Sequence, residues 1–268
     1  MITVQDIKHA FADLDIIGQK VAVHSSLSSV GQAVEGAQTI IHALLTSFPT
    51  VMMPAFCWNS NAPPPTGDRP QHNGCYYSFY DNWQKPSKPF VVENAGIEKS
   101  MGIIAKTFLT LPDVVRSDHP WHSWAAMGDG ASELVRDHSW ALTNTPLERL
   151  VATEGWVILF GVGLNSCTAV HIAEERAGRR PFIRWMCDRD GHVKRVRASG
   201  CAKGFNNLMP YCNDLFRKTS VGNAKLLAAP LDALIDCTAR IMKEQPEITQ
   251  CSPECIRCND AILGGPDE

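Results

Sequence analysis

At 268 residues, 44% hydrophobic and 20% charged, the chain is long enough to bury a large core and has the make-up of a globular protein, which excludes a disordered or fibrous one. A net charge of −3 excludes the basic footprint of a nonspecific nucleic-acid binder. No apolar run reaches transmembrane length and no secretory pattern opens the sequence, so a cytoplasmic protein without membrane contact is expected, its ten cysteines reduced.

In chain order, residues 4–14 carry apolar side chains at helical spacing, and Gly18 closes that helix before a strand at 21–24. A serine-rich turn, Ser25-Ser26-Leu27-Ser28-Ser29, leads to an amphipathic helix at 37–48 and a strand at 51–54. From 59 to 88 periodicity gives way to Pro, Gly, Asn and aromatic residues. This is a loop insertion, read either as part of a substrate cleft or as a surface flap. Helices are expected at 101–109, 131–138 and 146–150, then a buried strand at 156–160. Alternation at 183–186 and 193–198 around Asp190-Gly191 predicts a hairpin. Closing helices are expected at 221–228 and 231–243, separated by Pro230. The pattern predicts an α/β fold: a layered mixed sheet flanked by helices, with an antiparallel C-terminal part, in a single domain over 1–268.

The richest stretch follows the strand at 156–160. The chain breaks at Gly161 and Gly163, passes through Leu164-Asn165-Ser166-Cys167-Thr168, and reaches His171 with Glu174 three residues on. A helix starting near Thr168 puts His171 and Glu174 on one face, where a carboxylate can hold an imidazole for proton removal. Spacing alone fits equally a His and a Glu on an exposed helix start. The serine turn, between strand and helix, offers hydroxyls and N–H groups for phosphate or pantetheine oxygens, or else simple capping. Arg116 and Ser117, before His119-Pro120, pair a phosphate-binding guanidinium with a histidine in a constrained turn, and a packing role is the expectation for His119 itself. Cys251, Cys255 and Cys258, with Cys237 upstream, approach the ligand count of a zinc site, but their spacing is not that of paired Cys-x2-Cys knuckles; structural thiols with no metal required are expected.

Three segments occur together in order: Val21-Ala22-Val23-His24-Ser25-Ser26-Leu27-Ser28-Ser29, Arg116-Ser117-Asp118-His119-Pro120-Trp121-His122-Ser123, and Leu159-Phe160-Gly161-Val162-Gly163 through His171 to Glu174. In these the chain resembles the aminoglycoside 3-N-acetyltransferase family, the antibiotic acetyltransferases outside the GNAT type. The resemblance implies an antibiotic acetyltransferase-like fold and an acyltransferase that uses acetyl-CoA to modify an aminoglycoside and so confer resistance. It implies direct transfer with His171 as general base and Glu174 orienting it, and no acyl intermediate on Cys167. It implies coenzyme A contacts from Ser25, Ser26, Leu27, Ser28, Ser29, Arg116, Ser117 and Thr168. A polycationic acceptor needs acidic or carbonyl partners, and Asp81, Glu93, Glu98, Asn165 and Glu175 are the candidates. The alternative is an acyl-CoA-dependent N-acyltransferase of the same fold acting on a metabolic amine. The chain is expected to be a monomer or homodimer.

Overall fold

The computed structural model describes residues 1–84 and 87–267. The two undescribed internal positions, 85 and 86, fall inside the 59–88 insertion. The strands are β1 Lys20–Ser25, β2 Thr50–Pro54, β3 Val115–Arg116, β4 Trp124–Gly128, β5 Trp156–Phe160, β6 Phe182–Cys187, β7 Val193–Ala198, β8 Arg217–Val221 and β9 Ala224–Pro230. The principal helices are α1 Val4–Asp13, α2 Ala37–Ser47, α3 Gly102–Phe108, α4 Ala131–Val135, α5 Thr145–Val151, α6 Ala169–Arg176, α7 Leu231–Glu244 and α8 Ile256–Ile262. Helix α1 opens on a capping box: the Thr3 hydroxyl accepts the Asp6 N–H at 3.2 Å and the Asp6 carboxylate accepts the Thr3 N–H at 2.8 Å.

Seven strands form one mixed sheet in the order β3-β4-β2-β1-β5-β9-β8, and β6 pairs with β7 apart from it. The centre is parallel, with Ala22 beside Met52 on one side and beside Val157 on the other, while both flanks are antiparallel. The expected mixed, layered α/β architecture is therefore present, and antiparallel pairing extends to the β3-β4 edge as well as the C-terminal part. Side chains alternate across the pleat. Val21, Val23, Val51, Met53, Ile158 and Phe160 pack under α1, α2 and α3, whereas Ala22, Met52, Trp124, Val157 and Leu159 pack against α4, α5, α6 and α7.

Two sequence expectations change. Residues 221–228 are not a helix: they straddle a hairpin in which Gly222, at φ +56°, and Asn223 turn β8 into β9. The run Lys225-Leu226-Leu227-Ala228-Ala229 suits a helix by propensity, but Leu226 and Ala228 feed one layer of the core and Leu227 and Ala229 the other, so burial on both faces decides for strand. The helix expected at 131–138 stops at Val135, where Arg136 turns extended (φ −62°, ψ 157°); Asp137 then takes a positive φ of +48°, and His138 is buried.

Much of the insertion is tied down on the β6-β7 hairpin. The Ala62 N–H donates to the Trp185 carbonyl at 2.8 Å, the Asn73 side chain brackets the Ile183 peptide at 2.7 and 3.0 Å, and the Asp68 carboxylate takes the Trp185 indole N–H at 2.7 Å. Tyr77 and Tyr80 pack on Trp185.

Candidate active site

In a parallel sheet, ligands lodge beyond the carboxyl ends of the strands where the strand order reverses. Here that point lies between β1 and β5, since the chain proceeds from β1 to β2 on one side and returns to β5 on the other. A cavity of about 900 Å³ occupies this place. Its walls come from the end of β1 and the serine turn (His24, Ser25, Ser26, Leu27 and Ser28), the segment after β2 (Phe56 and Trp58), the loop before β4 (Trp121 and His122) and the loop and helix after β5 (Asn165, Thr168 and His171).

Gly161 sets the exit from β5. Its φ is +71°, and a Cβ there would stand 2.7 Å from the Cβ of Ser29. The close approach lets the serine turn and the β5 exit share one wall. Ser26 is held by its neighbours, its hydroxyl lying 3.0 Å from both the Ser28 and Ser29 hydroxyls. Ser29 does not line the cavity; it braces Ser26 from behind.

His171 and Glu174 meet as their spacing requires. Glu174 Oε2 accepts from His171 Nδ1 at 2.6 Å, and both side chains are about nine-tenths buried. The other carboxylate oxygen receives the Arg179 guanidinium at 2.9 Å. Arg179 also donates to the Thr249 hydroxyl at 2.7 Å and the Pro246 carbonyl at 2.5 Å. The exposed-helix-start reading is thereby set aside. With Nδ1–H directed at Glu174, Nε2 is the basic nitrogen of the neutral ring. Phe205 packs edge-on against the ring at 4.8 Å.

Three further histidines surround the site as neutral packing groups. His24 accepts the Thr168 N–H at 3.4 Å, and burial lowers its pKa to about 4. His122 Nε2 accepts the Ser199 N–H at 2.9 Å, and burial holds the ring well below the ordinary imidazole range. His119 Nδ1 caps the loop by accepting the Trp121 and His122 N–H groups at 3.2 and 2.8 Å, as expected of a packing role. Burial pushes the Cys167 thiol up to about 12, so it is a poor nucleophile near neutrality.

Several candidates fall elsewhere. Arg116 spends its guanidinium on the carbonyls of Ala55, Ala95 and Gly96 and on the Ser123 hydroxyl, tying the segment after β2 to β3. Ser117 is fully buried, accepting the Trp124 N–H at 2.9 Å and contacting His138. Neither lines the cavity. None of the acidic candidates lines it either. Asp81 pairs with Arg69 at 2.6 Å, Glu93 with Arg189 at 3.0 Å, and Glu98 accepts the Trp58 N–H at 3.3 Å. Glu175 is held by Thr143 and Asn144 at 2.6 and 2.9 Å and faces a small crevice behind His171. Among the described residues the charged side chain on the cavity wall is Arg257, which the sequence reading passed over, as it did His24, His122 and Trp58. Cys237 stands apart from the other C-terminal cysteines, its thiol on the Tyr211 carbonyl, and Cys201 takes its place beside them.

A histidine seated on a buried carboxylate stands at the switch point of an α/β sheet, beside a hydroxyl-rich cleft. The fold is that of solved aminoglycoside acetyltransferases. The apoenzyme of AAC(3)-IVa is 22% identical, with 98% of each chain covered and a TM-score of 0.78. The YokD protein of Bacillus subtilis is 23% identical, with 91% of this chain and 100% of that one covered and a TM-score of 0.79. In sequence, aminoglycoside N(3)-acetyltransferase IX of Micromonospora chalcea is 34% identical over 193 residues, and aminoglycoside N(3)-acetyltransferase III of Salmonella is 33% identical over 193. The matches cover 67% and 68% of this chain and 64% and 65% of those relatives, just under two thirds of their length. The aminoglycoside 3-N-acetyltransferase family model matches residues 22–243, and the chain belongs to that family.

Proposed function

We propose that this chain transfers the acetyl group of acetyl-CoA to the 3-amino group on the deoxystreptamine ring of an aminoglycoside. The observation that carries this reading is the 2.6 Å His171–Glu174 contact on the wall of a cavity that also displays Ser25, Ser26, Leu27, Ser28 and Thr168. A solved relative is described as a binary complex with CoASH and another as a complex with a gentamicin, which supports both ligand classes.

The serine turn and Thr168 hold the coenzyme, with Asn165 on the acceptor side. The amine nitrogen attacks the thioester carbonyl while His171 Nε2 removes its proton; the C–S bond then breaks, and the proton passes from the imidazolium to the departing thiolate. Glu174 fixes the tautomer and stabilises the imidazolium that forms. Arg179, anchored on two backbone and side-chain oxygens, keeps Glu174 in place. The amide product lacks the cation that attracts the drug to RNA phosphates, and resistance follows.

The test is release of free thiol from acetyl-CoA against a panel of aminoglycosides and one simple aliphatic amine. Acetylated drug, with the modification mapped to the 3-amino group, is the expected result. Silence on every drug beside turnover of the simple amine overturns the antibiotic reading. His171→Ala is expected to lower kcat by at least about 100-fold, the lower end of general-base effects, with coenzyme affinity kept. Wild-type turnover in that variant removes His171 from the mechanism.

A further inference from the structure

Four sulfurs converge at the C-terminal edge of the cleft. Cys201 sits in the loop after β7, Cys251 in the loop after Pro246–Thr249, and Cys255 and Cys258 at the start of α8. Their Sγ atoms all lie within 4.8 Å of one another, with Cys201 to Cys251 at 3.7 Å and Cys251 to Cys258 at 3.6 Å, and no pair is disulfide-bonded. In a tetrahedral zinc site with Zn–S bonds of about 2.3 Å, the sulfurs stand about 3.8 Å apart, close to the Cys201–Cys251 and Cys251–Cys258 separations. A backbone N–H is already directed at one of them, Cys251 N–H at Cys258 Sγ (3.5 Å). Such donors satisfy the spare lone pairs of metal-bound thiolates and offset their charge.

The segment also needs a staple. From Lys243 to Asp267 the buried positions are Thr249, Cys258, Ala261, Gly265 and Pro266, too little apolar surface to order some twenty-five residues. The stretch is nonetheless well placed. Thr249 receives Arg179, the Cys258 thiol reaches the Thr249 carbonyl, and Arg257, between two of the cysteines, lines the large cavity.

We propose that Cys201, Cys251, Cys255 and Cys258 bind one zinc ion as a closed, structural tetrathiolate site that fastens the C-terminal segment to the cleft. It has no open position and takes no part in chemistry. Its effect is to fix the Thr249 support of Arg179 and the placement of Arg257. This differs from the inert thiols the spacing suggests, because the fourth ligand lies fifty residues before Cys251.

Metal content decides the matter without reference to activity. The full chain, purified without chelator or histidine tag, is expected to hold about one zinc per chain by mass spectrometry. Cys251→Ser and Cys258→Ser are expected to hold less than about a fifth of that, while Cys237→Ser, outside the cluster, keeps the full amount. Growth in cobalt should give the wild type, and not Cys258→Ser, the intense visible bands of tetrahedral cobalt thiolate. The proposal is overturned by wild-type protein that folds with four free thiols and binds no added zinc, by disulfides among these cysteines, by iron in place of zinc, or by equal metal loss from Cys237→Ser.

Discussion

At the residue scale, the proposed site turns on one carboxylate held between two buried partners. Glu174 is flanked by an imidazole and a guanidinium, all three sequestered from water, so the carboxylate is worth most as the link between them. Truncating it leaves Arg179 buried with one fewer anionic partner, a loss of the kind that costs about 3–5 kcal/mol. It also frees His171 to turn and to take the other tautomer. Glu174→Ala should therefore lower the urea midpoint and cut kcat by about 100-fold or more, with a smaller change in KM. Glu174→Gln separates the two roles: an amide restores shape and one hydrogen bond, so stability should recover in part while kcat stays low. If Glu174→Gln turned over like wild type, the carboxylate would have no electrostatic part in catalysis.

At the scale of elements, the serine turn and the β5 exit act as one unit through Gly161, whose N–H donates to the Lys225 carbonyl of β9 at 2.8 Å. Gly161→Ala introduces both a strained φ and a Cβ against Ser29, with an expected cost of about 1–3 kcal/mol. Because Ser29 braces Ser26, the shift reaches the cavity wall, and the KM for acetyl-CoA should rise more than kcat falls. A variant with wild-type urea midpoint and KM would show the turn to be independent of β5. This unit was legible in the sequence. The strands at 21–24 and 156–160, the two glycines and the His171–Glu174 spacing all depend on local pattern, and α6 begins within one residue of its expected start. What escaped was set by tertiary partners. The β8-β9 hairpin was masked by good helix formers that are buried on two faces. Arg116 carries the right group for a phosphate, but its nearest acceptors are peptide carbonyls from residues far away in sequence. The acidic candidates were spent on arginines or on other donors that the fold brings to them, and Cys201 joins the other cysteines through the placement of a loop. His24 could have been found: a lone histidine in an apolar strand that ends in the serine turn belongs at the same rim.

At the scale of the molecule, the fold keeps a set of imidazoles neutral at its centre. Burial lowers His24 and His138 to about 4, and holds His119 and His122 well below the usual range, where the nearness of other imidazoles further disfavours a proton. His138 stacks on His119 at 4.3 Å and donates from Nε2 to the Leu142 and Thr143 carbonyls, so the four rings help connect β1, β4 and the loops between. In the unfolded chain each ring takes a proton as the pH falls through about 6.5, whereas in the fold His24 and His138 do so only near 4. Between those values the unfolded state binds more protons, so stability increases with pH across the window and levels off above about 7. A gap of this size is worth roughly 3 kcal/mol for each of the two rings once the pH reaches 4. The melting temperature should be flat from about pH 7 to 8 and fall steadily below about pH 6, before most carboxylates titrate. His138→Gln, which removes one of these rings, should start from a lower plateau and show a shallower fall. A wild-type melting temperature unchanged between pH 7 and 4.5 would mean that these imidazoles are either charged or open to water in the native protein.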